Sequence, residues 1–200
     1  ILAYDNAGQM LAQTELIFGM LCAAETNERM QALQEQVMPL LSAHRDKIRL
    51  DEKLFARVKD VYDRRASLGL DAEQSRLLRK TYDAFVRSGA LLDAGQKARL
   101  KEINGELSLT AVKFGNNILA ENNNFALELT ADDLEGLPSG VRDAAREKAQ
   151  AMGKGDKWVF TLHKPSLIPF LTYSAKRDLR EKIYKAYLNR CNNGDQYDNK

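Results

Sequence analysis

Only four prolines and 12 glycines punctuate the 200 residues of this chain, and roughly the first 120 run almost without a break signal. Those two residue types are the strongest interrupters of regular backbone, so their scarcity favours long helices. Apolar spacing then says where the helices lie. From Gly8 to Val37 the pattern is helical, with Leu11, Phe18, Leu21, Leu33 and Val37 among the apolar positions. Pro39 is expected to end or kink that run, because it lacks an N–H and crowds the preceding turn. Leu40 to Ile48 then reads as a separate short helical segment. Asp51 is a good N-cap for a helix carrying Leu54, Val58, Val61 and Tyr62 on one face, with Leu50 placed to staple against Phe55. Asp71 with Gln74 three residues later has capping-box spacing, ahead of the stripe Leu78, Tyr82, Phe85. The longest helix carries Leu100, Ile103, Leu107, Phe114 and Ile118 at helical spacing, with Ala111 in the gap.

The period changes after Asn122-Asn123-Asn124. Phe125, Leu127 and Leu129 alternate with Ala126 and Glu128, and Trp158, Phe160 and Leu162 alternate further on, so each run reads as a strand. The two are expected to pair, since a lone strand leaves its backbone groups unmatched. Between them a single helical turn opens at Thr130, near Asp132 to Glu135, and a short helix covers Val141 to Met152. Pro165 and Pro169 bracket what reads as an apolar loop, and Ser174 as the cap of a last helix with core face Leu179, Ile183, Tyr187. The predicted fold is mainly α: a multi-helix, bundle-like lobe with one two-stranded element near 125–129 and 158–162. Residues 1–121 form the helical bundle region and 122–173 the strands, short helices and loop. Residues 174–200 begin a further helical region.

Composition narrows the function classes. Thirty basic residues against 28 acidic ones leave a net charge of +2, with the signs interspersed, so neither nucleic acid nor a membrane surface is an expected partner. No apolar run reaches the roughly 20 residues a bilayer requires. Cys22 and Cys191 form no CxxC pair and no disulfide framework. Reduced cysteines favour the cytoplasm, and a leader before residue 1 would instead place the protein in the periplasm or outside the cell. The chain starts at Ile1 without an initiator Met and closes on polar residues, so it reads as a fragment of a longer one.

No catalytic constellation emerges. His44 lies near a helix end beside Asp46, and His163 follows a strand; neither has a histidine four residues on, so no HExxH zinc motif exists. Cys22, in the run Phe18-Gly19-Met20-Leu21-Cys22, reads as buried and inert. Arg190 precedes Cys191 and is placed to lower its pKa, but no base is near in sequence. Arg64-Arg65, Arg142 with Arg146 and Lys148, and Lys176-Arg177 with Arg180 and Lys182 are interleaved with acids, as on solvated helix faces. Trp158 reads as core. Catalytic and metal-ligating residues are therefore expected to be absent, and no substrate-binding residue can be named.

The order of segments adds what spacing does not. Pro39-Leu40-Leu41-Ser42-Ala43-His44, LFARVKDVYDRRASLGLDAEQSRLL at 54–78 and FVRSGALL at 85–92 come first. Phe114-Gly115-Asn116-Asn117, the Leu134-Glu135-Gly136-Leu137-Pro138 turn and PSLIPFLTYSAKRDLREKIYKAY at 165–187 follow. Together they resemble the amino-terminal part of the peptidyl-dipeptidases among the thimet-oligopeptidase-like zinc metallopeptidases. The resemblance implies an almost wholly helical fold of two lobes facing across a channel that admits short peptides. It implies zinc held by an HExxH helix, with the motif glutamate as general base. None of those positions occurs here, so a catalytically silent fragment that partners the rest of its own chain is expected. An endopeptidase of the same fold, or a free-standing helical interaction module, are the alternatives. The module's motivation is the set of amphipathic faces with no chemistry on them. Apolar surface uncovered by the missing lobe is expected at Phe170, Leu171 and Tyr173.

Overall fold

Side-chain caps at Asn27, Asp51, Asp71 and Asp93 open four of the helices in a computed structural model that describes residues 1–200. Two compact units result, Ile1–Val112 and Lys113–Lys200. The first holds α1 (Leu2–Asp5), α2 (Gln9–Ala24), α3 (Glu28–Arg49), α4 (Glu52–Asp63), α5 (Ala72–Arg87) and the beginning of α6 (Ala94–Asn124). The Asp51 carboxylate accepts from the Leu54 N–H at 2.6 Å, as its position predicted. Asp71 and Gln74 close a reciprocal capping box, and Asp93 with Gln96 closes a second that opens α6. Each such cap stabilises its helix by about 1 kcal/mol.

Helices α4 and α5 pack together and bury Phe55, Val58 and Phe85 with Ala90. Their rings form a ladder. Tyr62 stacks on Tyr82, Tyr82 on Phe55 and Phe55 on Phe85, and Tyr4 tilts against Phe85. A guanidinium covers each end, Arg65 over Tyr62 at 4.2 Å and Arg49 over Phe85 at 5.3 Å.

Two expectations fail in α3 and α6. Pro39 neither ends nor separates a helix: α3 continues through it from Glu28 to Arg49. The carbonyl that loses its partner belongs to Glu35, which is exposed, so water can satisfy it. The break falls earlier, at Glu25 to Asn27, where the Asn27 side chain accepts from the Met30 N–H at 3.0 Å. In α6 the predicted stripe is largely bare. Ile103, Leu107, Ala111 and Phe114 are exposed, and the buried apolar residue is Val112.

In the second unit β1 (Leu127–Leu129) pairs antiparallel with β2 (Trp158–Phe160), Glu128 standing opposite Val159. This bears out the predicted pairing, within shorter limits. Thr130 and Asp133 close a capping box on a 3-10 turn over Ala131–Asp133, one residue earlier than the spacing suggested. Helices α7 (Ser139–Ala151), α8 (Lys164–Tyr173) and α9 (Arg177–Leu188) complete the unit, α7 and α8 both packing on β2 and α8 against α9. Its core is the larger of the two, with Leu127, Leu129, Phe160, Leu162, Phe170 and Ile183 all fully buried.

The apolar loop at Pro165 to Pro169 is instead α8. Pro165 occupies the first turn, whose N–H groups have no helical partner anyway, and only Pro169 removes an internal bond. Phe170 accordingly points inward and is fully buried, and Leu171 is half-buried, against the expectation of bare surface; Tyr173 is exposed as expected. Ser174 ends α8 rather than opening the next helix, although its hydroxyl does accept from the Lys176 N–H at 3.3 Å. No helix is long and apolar enough to cross a membrane.

Candidate functional site

The reactive side chains are scattered. His44 is exposed on α3, and His163 is exposed at the start of α8, where its carbonyl accepts from the N–H groups of Ser166 and Leu167 at 2.9 Å. Cys22 is half-buried rather than buried, because α2 carries no buried residue at all. Cys191 is fully buried and adopts φ +56°, the one left-handed non-glycine residue of the chain. Burial, reinforced by the Glu121 carboxylate, pushes its thiol up and outweighs the opposite pull of Arg190. A buried, protonated thiol is a poor nucleophile.

Two arginines of the basic runs are held locally. Arg146 lies over the half-buried Trp158 ring at 4.7 Å and pairs with Asp156 at 2.8 Å, while Arg180 donates to the Ser174 carbonyl. Zinc, which the resemblance implies, was tested against the donors present. No three His, Cys, Asp or Glu side chains converge, and the two histidines stand singly on different elements. The residues do not fit the metal, and no catalytic step is assigned to it here.

What the first unit does offer is a groove between α3 and α6. Its main cavity has a volume of about 740 Å³, lined by Pro39, Ser42, Asp46, Lys97 and Lys101 among others. A second hollow of about 440 Å³ shares Ser42 and Asp46 and extends past Asn104 and Ser108. Asn104 ties the walls together: its side-chain amide donates to Asp46 at 2.8 Å, and its carbonyl accepts from the Ser42 hydroxyl at 3.4 Å. Lys97, only 8% exposed, reaches out to Glu52 at 3.0 Å. Such a surface can hydrogen-bond an extended backbone and meet a carboxylate. No nucleophile and base stand in mutual reach along it. Sequence reading missed it because Asn104 lies 62 positions from Ser42 and 58 from Asp46 and forms no motif with them; only the chain fold joins them.

No protein-family model matches the chain. Individual relatives do. It is 34% identical over 199 residues to a dipeptidyl carboxypeptidase of Escherichia coli, covering 99% of this chain and 29% of that protein. It is 26% identical over 208 residues to oligopeptidase A of the same organism, covering 98% of this chain and 30% of that protein. A thimet-like oligopeptidase of Dictyostelium discoideum is 24% identical over 192 residues, covering 94% of the chain and 28% of the relative. The chain is homologous to the thimet-oligopeptidase-like peptidases. It spans under a third of the length of these relatives, and the helical fold agrees with the expectation drawn from that resemblance.

Proposed function

We propose that these residues form the amino-terminal helical region of a zinc-dependent peptidyl-dipeptidase that releases dipeptides from the C-terminus of short peptides. In this reading residues 1–121 supply a helical lobe, 122–173 the compact strand-containing part, and 174–200 the lead into further helices. Zinc and the general base belong to sequence outside the stretch. The observation that carries the proposal is 34% identity along 99% of the chain to a dipeptidyl carboxypeptidase, against 26% to the oligopeptidase A of the same species. The groove of Ser42, Asp46 and Lys101 acts as one wall of the peptide channel.

Two measurements test this. The full-length protein, incubated with a defined oligopeptide, should release C-terminal dipeptides in a chelator-sensitive manner; internal cleavage would favour the endopeptidase reading that the oligopeptidase relatives motivate. The 200-residue stretch alone should neither cleave peptides nor bind zinc tightly at one site. A reading frame ending within a few codons of Lys200 would instead support a helical interaction module. Lys101→Ala in the full-length enzyme should raise KM and leave kcat nearly unchanged, the signature of lost ground-state binding.

A further inference from the structure

The end of α4, the turn that follows it and the first turns of α5 border a surface hollow of about 510 Å³ lined by Tyr62, Arg65, Ser75, Arg76 and Arg79, with no acidic side chain in its wall. Nine of the chain's 30 lysines and arginines make ion pairs. Lys59 pairs with Asp63, Arg64 with Asp60, Arg99 with Glu102, and Lys154 and Lys157 with Glu128. Arg65, Arg76 and Arg79 are not among them, and what sets them apart is that they line one hollow together. None makes an ion pair, and the acids one turn away on α5, Glu73 and Asp83, engage neither Arg76 nor Arg79.

Guanidinium groups stay charged at every accessible pH, so three lining one hollow repel one another until an anion enters. Arg65 is also held in place before any ligand arrives. Its Nη1 donates to the Tyr62 carbonyl at 2.8 Å, and its plane rests 4.2 Å from the Tyr62 ring, itself pinned by the stack on Tyr82. A group fixed in this way loses little freedom on binding. Planar forks match oxyanions with several oxygens, and a dianion balances three cations better than a single carboxylate does.

We infer that this cavity is a binding site for a phosphoryl group, either inorganic phosphate or a phosphate monoester. The site is exposed, so affinity is modest and falls as ionic strength rises. It is independent of the peptidase reading, since it shares no residue with the groove between α3 and α6.

The test is calorimetric titration of the full-length protein, at ionic strength held constant with chloride, using inorganic phosphate, glycerol phosphate and a tri-glutamate peptide in turn. Saturable binding of a phosphate compound is expected. Arg76→Gln/Arg79→Gln and, separately, Arg65→Gln should each weaken it by about tenfold or more, the loss of a charge-assisted contact. Arg99→Gln, which removes a paired arginine on α6, should leave it unchanged. Tighter binding of the monoester identifies a phosphorylated metabolite as the ligand, and equal binding identifies the free ion. The inference is overturned if neither phosphate compound saturates, if the arginine variants bind as the parent does, or if the acidic peptide binds more tightly than both.

Discussion

The rings of Tyr62 and Tyr82 lie 3.9 Å apart and within 4° of parallel, joining the last turn of α4 to the middle of α5. Both are half-buried, so the pair couples the small core of the first unit to its surface. Tyr82→Ala removes contacts to Tyr62 and Phe55 together and should cost about 3 kcal/mol, at the lower end for truncating an aromatic. A double-mutant cycle with Tyr62→Ala should return a coupling of about 1 kcal/mol, read from denaturant midpoints. A coupling near zero would mean that the rings lie together without stabilising the hairpin.

Burial is unequal between the units. The second buries a cluster of ten residues, the first a cluster of four. Apolar burial is the main favourable contribution to folding, so the first unit should unfold at lower denaturant. The chain's only tryptophan, Trp158, reports on the second unit alone. Helical circular dichroism should therefore decline in two steps, the first of them silent in tryptophan fluorescence. Coincident transitions by the two probes would refute the ordering.

These features were unequally visible in the amino-acid order. Short-range devices were legible: the caps at Asp51 and Asp71 and the alternation around Leu127 and Phe160 each need only a few neighbouring residues. Pro39 and Pro165 misled because a proline's effect depends on whether the lost bond had a partner to lose, and whether water can replace it. Leu107 and Phe114 have helical spacing, yet spacing shows only which face is apolar and not whether anything covers it. The groove was invisible because its ties, Asn104 to Ser42 and Asp46, span 62 and 58 positions. The unpaired arginines sit in stretches that also contain acids, and only side-chain geometry shows which acids are already engaged.

Glu128 gives the strand pair a pH dependence. Hydrogen bonds from Lys154 and Lys157, aided by their charges, hold its carboxyl down at about 2. A folded-state value below the unfolded one means stability that is fully present above the ordinary carboxylate range. It is lost as pH falls through that range toward 2, because protonation then breaks the bonds. The fluorescence-monitored midpoint of the second unit should drop over that window, and Glu128→Gln should flatten the drop. An unchanged acid limb in the variant would assign the effect to other carboxylates.

Gly136 tests backbone geometry. It adopts φ +83°, and a Cβ there would lie 2.3 Å from the Tyr173 carbonyl oxygen and 3.0 Å from the Ala175 nitrogen, whose N–H bonds the Glu135 carbonyl. Gly69, at φ +59°, has open space around it. Gly69→Ala should cost about 1 kcal/mol, the penalty of the left-handed conformation alone. Gly136→Ala should cost at least about 2 kcal/mol more, since backbone must move to admit the methyl group. Thermal unfolding of both variants decides it, and equal losses would show that the turn shifts at little cost.

Helix α2 exposes Met10, Leu11, Leu16, Ile17, Met20 and Leu21 and buries nothing. Six large apolar side chains on 16 residues make a patch at the upper limit of what monomers present to water, roughly several hundred Å². The relatives are more than three times as long as the aligned stretch, so further chain of that kind is the natural cover. The 200-residue stretch by itself should self-associate with rising concentration and bind an apolar fluorescent dye, whereas the full-length protein should do neither. Leu16→Gln/Met20→Gln should reduce both behaviours in the isolated stretch, with helicity retained. A stretch that stays monomeric and dye-free at high concentration would show that α2 needs no cover, and would count against its burial beneath a second lobe.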